Sequence, residues 1–276
     1  MRKITGICFL SALTTLLLPS GTHAQIFSGR SATASYFRSL FRMQHGDQLE
    51  ITGKPVFGDV FAVWDEKAWM KGMPWGKIHP DYPEQYYEDS CVRAGRDGLR
   101  LLQLDHASAH FPAPPGQNAV GLVITRQSWL YGTFVIEAVL PAGKNLWPAI
   151  WLTGDNSWPP EIDLMEGYSR KGKSRFRLTS NAHYRTADGR IRNAGVRRYY
   201  IAGPAGRTVQ YAVVWTPEQI VYYADGYRIR TISDPAVMQG MHGKMHLVLN
   251  NAVLQNKGNV YPDSSVFIIR SVKVFQ

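Results

Sequence analysis

The 276-residue chain has only two cysteines, Cys8 and Cys91. Cys8 falls in an N-terminal stretch read below as removable, so no intramolecular disulfide can staple the remainder and stability must come from packing. No Cys/His spacing suits a zinc site and the eight histidines are scattered, so no catalytic metal is expected. The longest apolar run, Ile7 to Leu18, is too short to cross a bilayer well. Strand signals do not alternate with long amphipathic helices, which argues against a parallel α/β fold. Acids are scarce, 21 against 31 Lys and Arg, giving a formal charge of +10.

What is present begins with Arg2 and Lys3, the apolar run, and Thr22-His23-Ala24, small at the two positions that a signal peptidase reads. Residues 1–24 are therefore expected to be a cleaved signal, making the protein secreted or periplasmic. About 252 residues remain, enough for one large β domain with a substantial core. Residues 25–54 read as an N-terminal extension. In it Tyr36, Phe37, Leu40 and Phe41 fit one helical face, so it is a short helix or a tether. The domain proper is placed at 55–276.

Strand signals follow at the spacing of an all-β sandwich: Leu99 to Leu104, Ala119 to Arg126, Tyr131 to Leu140 and Leu146 to Leu152. Later come Val209 to Trp215, Gln219 to Tyr223 and Tyr227 to Ile232, with turns at Thr216-Pro217-Glu218 and Asp225-Gly226. Met245 to Val253 and Val266 to Phe275 close the series. Between Lys71 and Arg93, three prolines and several tyrosines read as a long loop on the rim of a cleft.

The chemistry concentrates in E-I-D-L-M-E, Glu161 to Glu166. On a helix the three carboxylates sit at about 0°, 200° and 140°, which turns Glu161 away from the others. On a strand Glu161 and Asp163 share a face, and one bulged residue before Glu166 brings it to that face too. The two glutamates are then about four strand steps apart. Leaning together, their carboxyl groups come within ~5 to 7 Å, near the ~5 to 5.5 Å of a retaining glycosidase. Three carboxylates this close hold a proton at neutral pH. That proton is placed on Glu166 as the general acid and base, with Glu161 as nucleophile and Asp163 modulating it. Taken alone, the six residues also fit an acidic solvent face or a calcium site.

The flanks are more specific. W-P-A-I-W-L, a short Gly-Asp-Asn loop, W-P-P and E-I-D-L-M-E-G closely resemble the active-site signature of glycoside hydrolase family 16, in its laminarinase, agarase and carrageenase-like branch. Phe57-Gly58-Asp59-Val60-Phe61 with Trp64-Asp65 and Trp69 resembles the family's opening, and the last strand resembles its close. Y-G-T-F at 131–134 resembles the family's Y-G-R-F-E-A-R strand, but Val135 and Glu137 stand where that pattern has Glu and Arg. L-N-N-A-V-L-Q resembles L-N-L-A-V-G-G without its glycines.

The resemblance implies a jelly-roll sandwich of two curved antiparallel sheets, like concanavalin A. It also implies an endo-acting retaining hydrolase of a β-linked polysaccharide, first a β-1,3-glucan or related bacterial exopolysaccharide. No cofactor is required, although members often carry a structural calcium on the convex side through backbone carbonyls. Transglycosylation, or hydrolysis of an acidic or sulfated glycan, is a variant of the same chemistry. From another class, a non-catalytic lectin-like module shares the architecture.

Strand parity selects the sugar-binding candidates. Trp147 and Trp151 point opposite to Pro148, Ile150 and Leu152, and Trp158 is added from the loop. Their bland reading is core packing, but parity with the carboxylates favours stacking on sugar rings. His183 belongs to a polar set with Arg177, Thr179 and Asn181, and Asn250 to one with Lys244 and His246. The resemblance places a histidine such as His183 near the leaving group, while its bland reading is a structural hydrogen bond. The expected partner is a polysaccharide substrate, with the protein acting as a monomer and with no nucleic acid and no membrane after signal cleavage. Ten Lys and Arg lie between Arg170 and Arg198 against one acid, Asp188. That segment accounts for the charge excess, as a solvated rim, a contact with an anionic envelope, or a border of the cleft.

Overall fold

The computed structural model describes residues 48–105, 116–169, 176–201, 206–254 and 260–276. The expected signal at 1–24 and most of the 25–54 extension lie outside them, as do Arg170, Lys171, Lys173 and Arg175. Nineteen strands are described. The first nine are β1 (Phe57–Asp59), β2 (Trp69–Lys71), β3 (Ile78–His79), β4 (Tyr82–Tyr87), β5 (Val92–Arg93), β6 (Leu99–Leu104), β7 (Asn118–Val120), β8 (Leu122–Thr125) and β9 (Gly132–Val139). Then come β10 (Leu146–Gly154), β11 (Glu161–Ser169), β12 (Phe176–Arg185), β13 (Ile191–Asn193) and β14 (Arg197–Tyr199). The series ends with β15 (Val209–Trp215), β16 (Ile220–Ala224), β17 (Tyr227–Ile232), β18 (Met245–Val253) and β19 (Ser264–Phe275), with one helical turn, α1 (Pro235–Met238), before β18.

They form two sheets. The back sheet runs β17-β16-β15-β9-β19-β6-β7-β4-β3, with β1 added to β19 and β5 to β6. The front sheet runs β13-β12-β11-β10-β18-β8-β2, with β14 added to β12. The pairings are antiparallel except for β4 beside β7. This is the expected two-sheet jelly roll, and period-2 alternation explains it. Leu99, Leu101, Phe134, Ile136, Tyr211 and Val213 of the back sheet face Leu152, Ile162, Leu164, Leu247 and Leu249 of the front sheet across one apolar core. Asp225 (φ 50) and Gly226 (φ 81) supply the two positive-φ positions of a two-residue hairpin between β16 and β17.

Two sequence expectations need correction. Ala119 to Arg126 is not one strand: the chain leaves the back sheet after Val120 and enters the front sheet at Leu122. Gly121 makes that crossing because a Cβ there would lie 2.5 Å from the Cys91 carbonyl oxygen. The stretch 71–93 is not wholly loop either. It contains β3, β4, a 3-10 turn at Asp89–Cys91 and β5, where buried Gln85 and Tyr87 anchor it despite its prolines.

No helix among the described residues is long and apolar enough to cross a membrane.

Candidate active site

β11 sits inside the front sheet between β10 and β12, so each of its outward side chains has a neighbour on both sides. Thr153, Glu161 and His183 form one row, Trp151, Asp163 and Asn181 a second, and Ala149, Glu166 and Thr179 a third. Asp163 to Glu166 is three steps on β11 but only two on β12, from Asn181 to Thr179. The extra residue is the bulge that spacing demanded. Leu164 and Met165 both turn into the core, 1% and 0% exposed, and all three carboxylates share the outer face.

Donors converge on that face. Glu166 accepts from Trp147 Nε1 at 3.0 Å and Tyr168 OH at 2.6 Å on Oε1, and from Thr179 Oγ1 at 3.1 Å on Oε2. Glu161 Oε2 accepts from Trp158 Nε1 at 2.9 Å. His183 Nε2 lies 3.6 Å from Glu161 Oε1 and 3.5 Å from Asp163 Oδ2, with Asn181 Nδ2 at 3.1 Å. Asp163 is 4% exposed, and its Oδ2 has no hydrogen-bond donor among the described residues.

Burial, reinforced by the charge of Asp163, pushes Glu161 up to about 8. Burial, reinforced by the charge of Glu166, holds Asp163 well above the carboxylate range. Burial thus favours a proton on the Glu161–Asp163 pair. The physical reason is that burial disfavours charge on these two groups. The two carboxyls of the pair interact with each other, and the Trp158 N–H supports charge on Glu161. Burial, helped by Glu166, also pushes the Tyr168 phenol upward, so Tyr168 stays a donor.

Every sequence-selected residue reaches this face, in different capacities. Trp147 and Trp158 bond the two glutamates, and His183 stands over Glu161 and Asp163. Trp158 remains 48% exposed beside them. Trp151 is partly buried against an apolar cluster that includes Ile124 and Val248. Its Nε1 donates to Asn250 Oδ1 at 2.7 Å, so Asn250 fixes the tryptophan. Trp151 forms floor, with less free surface than parity alone implied.

Tyr168, Thr179, Asn181 and Tyr82 were not selected from sequence as site residues. Tyr168 shares parity with Glu166, a signal that was available. Tyr82, on β4, packs edge-on against Trp147 at 5.1 Å, and nothing in its surroundings announced it. Trp147 in turn stacks on Tyr168 at 5.7 Å and 24°. The rim segment thus supports the donors of Glu166.

Glu161, Asp163 and His183 are also the group of possible metal ligands among the described residues, each offering one atom within 4.8 Å of the others. Two carboxylates and an imidazole do not match the all-oxygen set that calcium takes, so this cluster does not fit the structural calcium implied by the resemblance.

Comparison with known proteins agrees with this geometry. The model for glycosyl hydrolases family 16 matches residues 86–251, which contain all three carboxylates. The endo-1,3-1,4-beta-glycanase ExsH of Rhizobium meliloti is 25% identical over 206 residues, covering 70% of this chain and 42% of that protein. This chain therefore spans less than half the length of that relative. A beta-glucanase of Rhodothermus marinus is 28% identical over 249 residues, covering 82% of this chain and 79% of that one. Among solved structures, the laminarinase from Flavobacterium sp. UMI-01 superposes with a TM-score of 0.66 at 22% identity, over 81% of this chain and 100% of that one. LamAcat from Zobellia galactanivorans gives 0.68 at 18% identity, over 81% and 98%. These two likenesses establish a shared fold.

Proposed function

The chain belongs to glycosyl hydrolases family 16, and from that premise we propose that it is an endo-acting β-glucan hydrolase working by double displacement with retained anomeric configuration. One observation carries the reading. Glu161, Asp163 and Glu166 lie on one face of one strand, with aromatic N–H and O–H donors fixing the two outer ones. A binding module has no use for such a set.

In the reaction Glu161 attacks the anomeric carbon as a carboxylate, while Glu166 gives its proton to the departing glycosidic oxygen. The C–O bond to the leaving sugar breaks as the ester to Glu161 forms. Glu166, now ionised, takes a proton from water, whose oxygen displaces Glu161 and restores both groups. Asp163 keeps its proton throughout and leaves the negative charge to Glu161. The reactive arrangement thus has protons on Asp163 and Glu166 and charge on Glu161, with Trp158 N–H donating to that charge. No cofactor enters these steps.

The substrate we assign is a β-1,3 or mixed β-1,3-1,4 glucan, supported by the activities for which the relatives above are named. We propose further that residues 1–24 direct export, that 25–54 precede a catalytic domain over 55–276, and that the mature chain acts as a monomer outside the cytoplasm.

Replacing Glu161 tests the mechanism. Glu161→Ala should lower kcat on mixed-linkage glucan by about a thousandfold or more, with the fold and oligosaccharide binding intact. Near wild-type turnover in this variant would overturn the assignment of nucleophile.

A further inference from the structure

The basic segment resolves into cations with different duties. Arg185 donates to the carbonyl oxygens of Gly189 and Trp158, and Arg190 pairs with Asp188. Arg197 lies opposite Ser180, and Arg192 opposite Tyr184, on the face turned away from the carboxylates. Arg177 and Arg198 differ. Arg198 pairs across strands with Thr179, itself opposite Glu166, and Arg177 pairs with Tyr168, so both stand on the carboxylate face.

Neither has a carboxylate partner among the described residues. The Arg177 guanidinium lies 5.1 Å from the Tyr168 ring centre, and its Nε is buried without an acceptor. Leaving a buried donor of a charged group unpaired is costly, and a neutral sugar hydroxyl offers it no charge. Two guanidiniums without a carboxylate partner among the described residues, on the same sheet face as the general acid and on a chain of formal charge +10, suit a carboxylate.

We propose that Arg177 and Arg198 form a subsite for a carboxylate-bearing substituent on the β-glucan, next to Glu166. The proposal rests on the β-glucan hydrolase reading above and narrows its substrate to an acidic glucan.

The test compares one neutral mixed-linkage β-glucan with the same polymer after part of its primary alcohols has been oxidised to carboxylates. The quantity read is kcat/KM on the oxidised polymer divided by kcat/KM on the neutral one, so that changes to the shared machinery cancel. For the mature wild-type protein at low salt this ratio should exceed that of Arg177→Ala/Arg198→Ala by about tenfold. It should also collapse toward the variant's value as the Debye length shrinks from about 10 Å to about 3 Å. Arg198→Ala alone, at an exposed position, should lower the ratio by about threefold and carries the test if the double variant does not fold. A ratio unchanged by both substitution and salt overturns the subsite while leaving the hydrolase reading intact. Cleavage of neither polymer overturns the hydrolase reading and the subsite with it.

Discussion

At the scale of single residues, the site is a problem of placing protons among crowded carboxylates. Asp163 is held above its ordinary range by burial first and the Glu166 charge second. A carboxyl whose folded-state affinity for protons is raised stabilises the fold fully at pH values below its ordinary range. That stabilisation is lost as pH rises through the raised value. Asp163→Asn cannot ionise and escapes the loss. Its Tm should therefore exceed wild type by an amount that grows from about pH 5 to pH 8, at roughly 2–4 °C per kcal/mol for a domain of this size. Thermal melts across that range check it, and a Tm difference constant with pH would contradict the placement. The carboxylates themselves were legible in the sequence because parity and spacing fix them. The partners of Glu166 were less so: Tyr168 shares its parity, but Tyr82 comes from a distant segment whose prolines read as loop. The raised proton affinity of Asp163 and Glu161 was not legible, because burial is a tertiary property that spacing does not carry.

At the scale of elements, the bulge in β11 is the device that aligns the site. Without it, Glu166 would point into the core beside Ile162 and Leu164. Deleting Leu164 restores plain alternation, with the second glutamate still outward, so this variant should fold with a lowered Tm and keep measurable cleavage. Inserting an alanine between Leu164 and Met165 leaves the sheet one step to absorb. By plain alternation the second glutamate then stays outward but lies two strand steps, about 6.6 Å, farther from Glu161, and activity falls by about a thousandfold or more. Assays of both variants on mixed-linkage glucan decide the matter, and an insertion variant of full activity would remove the argument. The bulge was readable from three residues of sequence. The crossing at Gly121 was not, since the close approach of Cys91 O that demands glycine exists only once both sheets are in place.

At the scale of the whole molecule, no disulfide joins the two sheets among the described residues. Asn251 replaces one apolar position of the family pattern, and its buried Nδ2 donates to Leu101 O at 3.0 Å and Ser265 Oγ at 3.1 Å on the opposite sheet. Cys91 is fully buried, and burial pushes its thiol up to about 12. The folded domain should therefore resist labelling at Cys91 by a thiol reagent, and its Tm should be unchanged by reductant. Labelling as fast as in denaturant would contradict this. The sandwich was legible because its long strands alternate cleanly. The short strands of 71–93 and the pair at 191–199 were hidden by proline, tyrosine and charge, since their partners supply most of what holds them.

The central claim is a retaining double displacement by Glu161 and Glu166 on a β-glucan. The most direct measurement is proton NMR of the anomeric signals during the first minutes of mixed-linkage glucan cleavage by the mature protein. The new reducing ends should appear first as the β-anomer, with the α-anomer growing in only by mutarotation. Initial appearance of the α-anomer would contradict it.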